Sequence, residues 1–189
     1  VLIIAGSQGF TGAAYLATEA AVKSGAGLVT LATHSNVRDI LSCKLNEAMT
    51  ASIEDKSEFD RLLENSDSIA IGPGLGNNRS TFDLVKEVIS KSNCPIIIDA
   101  DGINCLKDNL DLIKEKKSPI IFTPHPGEMS RLTGISIKDI NERRIDIAKE
   151  FAKEKGVIIL LKGYNTVITD GYKTFINPTG NSAMASGGM

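Results

Sequence analysis

The run Thr123-Pro124-His125-Pro126-Gly127-Glu128 holds an imidazole and a carboxylate in a stiff turn between an apolar stretch, Pro119 to Phe122, and a helix-like stretch. Pro124 and Pro126 remove two backbone donors and fix φ, so a strand cannot continue through them. Loops that follow parallel strands are where α/β proteins keep ligand chemistry. Taken alone, the run reads equally well as a rigid strand-to-helix turn with Glu128 in a first helical turn, where the helix dipole favours an acid.

Five further loops share this character. Gly6-Ser7-Gln8-Gly9-Phe10-Thr11-Gly12-Ala13-Ala14 follows the first apolar run and opens a helix. Its spacing is GxxGxxG, and no acidic residue ends a clear second strand, so a Rossmann ribose site is not indicated. There is no GxxxxGK[ST] phosphate loop either. This loop alone reads as tight helix–sheet packing, although Ala13-Ala14 leaves room for a planar ligand. Gly72-Pro73-Gly74-Leu75-Gly76-Asn77-Asn78 carries more glycine than a turn requires and exposes backbone amides in a nest-like arrangement. Asp99-Ala100-Asp101-Gly102-Ile103-Asn104 pairs carboxylates at a strand end. They suit magnesium–water contacts or hydroxyl binding, or else Asp101 caps the following helix. Leu161-Lys162-Gly163-Tyr164-Asn165-Thr166 sets a lysine directly after a buried strand, where it meets phosphate as a point charge or snorkels to solvent. Asn177-Pro178-Thr179-Gly180-Asn181-Ser182-Ala183, running on to Ser186-Gly187-Gly188-Met189, is dense in amides, hydroxyls and glycine and fits a phosphate-handling loop.

The elements that position these loops alternate in kind. Strand-like runs cover Val1 to Ala5, Leu28 to Thr33, Ala48 to Ile53, Asp67 to Ile71, Pro95 to Ile98, Pro119 to Phe122 and Val157 to Leu161. Between them lie helix-like runs at Ala13 to Ser24, Asn36 to Lys44 (Asn36 a cap), Ser57 to Glu64, Ser80 to Ser90, Ile103 to Lys116 and Ile137 to Lys155, the last ended by Gly156. Repeated βα units with continuous apolar strands predict a parallel sheet covered on both faces. Thr166 to Thr169, Asp170-Gly171 and Lys173 to Ile176 predict a β-hairpin, hence antiparallel strands at one edge.

Composition narrows the function class. The chain has 189 residues, 42% hydrophobic and 23% charged, with a formal net charge of −2. That balance gives no electrostatic case for nucleic acid or an anionic membrane. Cys43, Cys94 and Cys105 form no CxxC pair, so reduced thiols in a cytoplasmic setting are expected rather than a disulfide framework or zinc site. No run is suited to spanning a membrane.

Six segments together resemble the ADP/ATP-dependent NAD(P)H-hydrate dehydratase family: VLIIAGS with GAA at Gly12 to Ala14, AIGPGLGNN at Ala70 to Asn78, IDADGIN at Ile98 to Asn104, TPHPGEMSRLTG at Thr123 to Gly134, LKGYNTVITDG at Leu161 to Gly171, and NPTGNSAMASGGM at Asn177 to Met189. The resemblance implies a ribokinase-like three-layer α/β/α fold with a mostly parallel central sheet and a β-hairpin at its C-terminal edge, in one domain over 1–189. It implies a lyase that repairs hydrated NADH and NADPH: the ring hydroxyl is phosphorylated from ADP or ATP with Mg2+, and phosphate is then expelled. On that pattern Ala13, Gly74, Gly76, His125 and Asn181 contact the substrate. Lys162, Gly163, Tyr164, Asn165, Thr166, Gly187 and Gly188 bind the nucleotide, and Glu128 is associated with the metal. In the family, GGM continues as Gly-Asp, whose aspartate is the expected base. The chain is therefore expected to be an excerpt truncated at both ends, inactive alone, with apolar surface uncovered on one sheet face. The resemblance also implies a homo-oligomer, a tetramer or larger, and allows a fused epimerase domain upstream. The alternatives are a ribokinase-like kinase for a vitamin or sugar and a non-catalytic nucleotide-binding module.

Overall fold

The structure is a computed structural model and describes residues 1–184. Its frame is a nine-stranded sheet of order β3-β2-β1-β4-β5-β6-β7-β8-β9. The strands are β1 (Leu2–Ile4), β2 (Thr30–Thr33), β3 (Met49–Ser52), β4 (Ile69–Ile71), β5 (Ile96–Ile98), β6 (Ile120–Phe122), β7 (Ile158–Leu161), β8 (Thr166–Thr169) and β9 (Thr174–Asn177). Strands β1 to β7 pair in parallel, and β8 and β9 join antiparallel, as the hairpin pattern predicts. Right-handed βα crossovers put every parallel strand's carboxyl end on one edge of such a sheet. All the loops singled out above therefore emerge on that edge.

Helices lie on both faces. The helices are α1 (Thr11–Lys23), α2 (Ser35–Ser42), α3 (Lys56–Asn65), α4 (Arg79–Lys91), α5 (Asp101–Asn104), α6 (Pro126–Thr133), α7 (Ile137–Glu142) and α8 (Arg144–Lys155). One core joins Ile69, Ile71, Ile96, Ile98, Phe122 and Leu161 of the sheet to Phe59, Val88, Met129, Ile140 and Phe151 of the later helices. A smaller one joins Ile3 and Leu31 to Ala14, Val37 and Leu41 of α1 and α2. On that second face Ile97 pairs with Ile121, and Leu160 pairs with Ile168, which pairs with Phe175. Ile97 is 37% exposed and Phe175 66% exposed. Ile121, Leu160 and Ile168 between them are half-buried.

Two long helical expectations are corrected. The run from Ile103 to Lys116 yields the single turn α5 and a separate 3-10 turn, Leu110–Glu115. Asp108 and Asn109 stand between them, and such side chains compete with helical backbone bonding. The run from Ile137 to Lys155 breaks at Arg143, whose φ of −123° and ψ of 39° are not helical. The break releases Arg144 to reach the end of β7. Gly156 does end α8, in the left-handed conformation.

Asn36 is not a cap. His34 holds that position on α2 and makes no side-chain cap bond. Instead Glu54, beyond β3, accepts from the Ser35 N–H at 3.0 Å, from Ser52 Oγ at 2.6 Å and lies 2.8 Å from His34 Nδ1. Burial pushes the Glu54 carboxyl up, but the Ser52, His34 and Ser35 hydrogen bonds outweigh it and bring its pKa down from 4.5 to about 2. A depressed pKa contributes stability that is complete above 4.5 and is lost as pH falls toward 2. The expected gap between wild type and Glu54→Gln is about 1 kcal/mol at neutral pH, because the side chain is half exposed. Urea unfolding across the acid range should show that gap closing as pH drops.

Candidate active site

The glycine-bearing loops after β1, β4 and β5 pack into one surface. Gly6 donates its N–H to Pro73 O at 2.9 Å, and Ser7 Oγ donates to Gly74 O at 2.7 Å. A Cβ on Gly74 would lie 3.0 Å from Ala13 Cβ, so Ala13 and Gly74 are direct neighbours. Gly72 has φ of +130°, and a Cβ there would fall 1.8 Å from the Asp99 carbonyl oxygen. Only glycine permits that approach. Gly76 donates its N–H to Asp101 Oδ2 at 2.8 Å. Asp101 therefore ties the Gly74–Gly76 turn rather than capping α5, whose N-cap position is held by Ala100 at φ 49°.

The ends of β5, β6 and β7 meet in a charged cluster. The Lys162 ammonium donates to Asp99 Oδ1 at 2.7 Å and stands 3.7 Å from Glu128 Oε2. Glu128 is only 4% exposed. Its Oε2 accepts the His125 N–H at 2.8 Å. In return His125 Nδ1 accepts from the Gly127 N–H at 3.0 Å and the Glu128 N–H at 3.3 Å. This reciprocal arrangement is a capping box with histidine in the serine role. Because Nδ1 accepts from backbone donors, the ring proton sits on Nε2 in the neutral form. Nε2 lies 3.3 Å from Glu128 Oε1, and half of the ring remains open to solvent.

The segment expected to hold nucleotide begins in this cluster. The Lys162 N–H donates to Pro124 O at 2.8 Å. Arg144 Nη2 donates to both Leu161 O at 2.8 Å and Lys162 O at 3.0 Å, and its guanidinium would meet a Cβ on Gly163 at 3.2 Å. Burial pulls the Arg144 pKa down. Asn165 adopts φ 54°, Thr166 Oγ1 donates to Gly163 O at 2.9 Å, and Tyr164 is fully presented to solvent.

Among the expected site residues, Ala13 packs against Gly74, which is buried beneath Phe10 and Ala13, with Gly76 further along the same turn, while His125, Glu128 and Lys162 share one cluster. Asn181 makes local bonds, its Oδ1 accepting from the Ala183 N–H at 2.9 Å. Gly187 and Gly188 lie outside the described residues. Asp99 takes a larger part than its sequence suggests. Arg144 has no sequence signal at all: it opens a charged amphipathic helix like any solvated arginine. Burial pushes the Cys105 thiol up to about 12, which disfavours its thiolate.

Among the described residues no three His, Cys, Asp or Glu side chains form a metal cluster. Mg2+ typically takes one or two carboxylates, water and substrate phosphates rather than a full protein cage. Asp99 and Glu128, two carboxylates converging on one cation, fit that donor set.

An open, mostly parallel sheet with glycine loops and a charged cluster on its carboxyl edge is the ligand-binding arrangement of a doubly wound α/β protein, and a ribokinase-like superfamily protein of Enterococcus faecalis matches it with a TM-score of 0.86 at 29% identity over 99% of this chain and 66% of that one. A family model described as NAD(P)H-hydrate dehydratase matches residues 1–189, and the chain belongs to that family. The bifunctional NAD(P)H-hydrate repair enzyme of Moorella thermoacetica is 44% identical over 200 residues, covering 100% of this chain and 38% of that protein. The ADP-dependent (S)-NAD(P)H-hydrate dehydratase of Bacillus subtilis is 38% identical over 190 residues, covering 99% of this chain and 66% of its own length. A crystal structure of the Bacillus subtilis ADP/ATP-dependent NAD(P)H-hydrate dehydratase, co-crystallised with ATP/Mg2+, matches with a TM-score of 0.84 at 34% identity over 99% of this chain and 66% of that one. The chain thus spans about two fifths of the bifunctional relative and about two thirds of the single-activity one. Among the described residues no helix is long and apolar enough to cross a membrane.

The fit of Gly72 against Asp99 gives a stability prediction. Gly72→Ala should lose about 3 kcal/mol or more, from strain plus a backbone clash. Gly9→Ala, also at positive φ but with open space around it, should lose only about 1 kcal/mol. Urea unfolding of the two variants tests the contrast.

Proposed function

We propose that this chain forms the site of a nucleotide-dependent dehydratase acting on hydrated NADH and NADPH. The observation that carries the reading is the convergence of Asp99, His125, Glu128 and Lys162 beside Ala13 and the Gly74–Gly76 turn. Hydroxide is a poor leaving group, and phosphate is a good one. The ring hydroxyl oxygen bonds to the terminal phosphorus of ADP or ATP while the bond to the nucleotide's leaving phosphate breaks. The hydroxyl proton passes to a base, for which the family's pattern supplies the aspartate of its Gly-Asp pair. Phosphate then leaves with the C–O electron pair, a proton leaves the neighbouring carbon, and the ring double bond is restored.

The residues divide that work. Ala13 and the Gly74–Gly76 turn seat the hydrated ring in this reading. His125 presents its Nε2–H toward the same substrate. Lys162 and the strip through Thr166 take the nucleotide phosphates, and the Arg144 bonds hold that strip in place. A divalent cation held by Asp99 and Glu128 would neutralise phosphate charge. Asn181, Gly187 and Gly188 complete the phosphate end in this reading. A cytoplasmic homo-oligomer is proposed with it, and a companion epimerase domain agrees with the bifunctional relative.

The test is to supply hydrated NADH, ADP and magnesium to the intact protein and follow the dihydronicotinamide absorbance. Recovery that depends on nucleotide is expected. A flat trace from protein that binds ADP would favour a kinase with another hydroxyl acceptor. In calorimetry, His125→Ala should weaken hydrated NADH about tenfold and leave ADP nearly unchanged, and Lys162→Ala should do the reverse. Equal losses for both ligands would remove these assignments.

A further inference from the structure

The cluster has an unusual internal economy of charge. Asp99 and Glu128 come from loops after different strands, yet both face one ammonium. Lys162 Nζ is 2.7 Å from Asp99 Oδ1 and 3.7 Å from Glu128 Oε2. Glu128 is almost wholly buried, so its charge requires a nearby cation. Lys162 stands on a turn fixed by its own N–H to Pro124 O and by Arg144 on the carbonyls of Leu161 and Lys162. Its backbone is held, while its side chain is 39% exposed and has room to turn outward. These two carboxylates are also the pair that suits a hard divalent cation. A dication between them would stand against an ammonium already bonded to Asp99 and close to Glu128.

We propose that the Lys162 ammonium is the resident counter-ion of Asp99 and Glu128, and that it and a divalent cation exclude one another there until a phosphate draws the lysine away. Taking Lys162 to phosphate rests on the function proposed above; the exclusion itself rests only on the geometry. The two events are then linked: phosphate that binds Lys162 frees carboxylate oxygens for the cation, and the cation leaves the lysine free for phosphate. By linkage each ligand must tighten the other. Without nucleotide, the one ammonium offsets part of the charge of the two carboxylates, and the cluster holds metal weakly.

The exclusion is tested without nucleotide, substrate or turnover. Mn2+ binding to the intact protein is followed by electron paramagnetic resonance for wild type, Lys162→Met and Lys162→Gln. Both variants should bind Mn2+ about tenfold tighter than wild type, a coupling of ordinary size. Adding Asp99→Asn to Lys162→Met should abolish the gain and so locate it. Unchanged or weaker Mn2+ binding in folded variants overturns the proposal, as does a gain that survives Asp99→Asn. Should neither lysine variant fold, the wild-type protein decides. Orthophosphate, present well below the concentration at which it chelates Mn2+, should tighten Mn2+ binding severalfold; no tightening overturns the proposal. Failure of the dehydratase assay alone leaves these metal titrations intact, so the two readings fail separately.

Discussion

A carboxylate buried to the extent of Glu128 must be paired, and that need organises the carboxyl edge of the sheet. Isolated charge in a low-dielectric interior is costly, and removing one partner of a buried pair costs more than the pair contributes. Glu128 meets the requirement with the His125 N–H at one oxygen and the Lys162 ammonium close by. Lys162 is in turn bonded to Asp99. Three neighbouring strand ends, after β5, β6 and β7, are thereby held in one relative placement. The loops that carry them could otherwise vary independently, since each is surface chain anchored only at its ends.

Close backbone approach does for the glycine loops what charge does for this cluster. The Gly72 backbone lies against the Asp99 carbonyl where no side chain fits, and Asp101 reaches back to the Gly76 amide. The Gly74–Gly76 turn is therefore coupled to Asp99 through main chain, and Asp99 is coupled to Lys162 through an ion pair. A small-residue turn and a charged centre are held beside each other. Such preorganisation is what a reaction between a bound hydroxyl and a bound phosphate demands.

Much of this was legible in the residues. Apolar runs bounded by glycine or proline locate β1, β4, β5, β6 and β7, because a strand in the middle of a sheet has little freedom in composition. The Asp170-Gly171 turn marks the β8–β9 hairpin for the same local reason. Motif order along the chain placed His125, Glu128, Gly74 and Lys162 on one edge, since a parallel sheet leaves its loops no other arrangement. The second helix interruption was not legible. The break at Arg143 separates two runs that share an amphipathic pattern, and its cause is tertiary: Arg144 is required at the carbonyls that end β7. Asp101 was ambiguous because a carboxylate at a helix start serves a cap or a distant amide equally well. Only the position of Gly76 decides between them.

Lys162 shows where sequence reading reaches its limit. A lysine after a buried strand has one meaning as a phosphate contact and another as a counter-ion, and the residue type is right for both. The structure shows the second state, with the ammonium committed to carboxylates. The two meanings are compatible because the Lys162 backbone is fixed while its side chain is long and flexible. An arginine would hold Asp99 more rigidly with its planar fork, and a shorter cation would not reach both partners. A lysine satisfies Glu128 when the site is empty and remains able to leave, which is the property that a site for a highly charged, exchanging ligand needs.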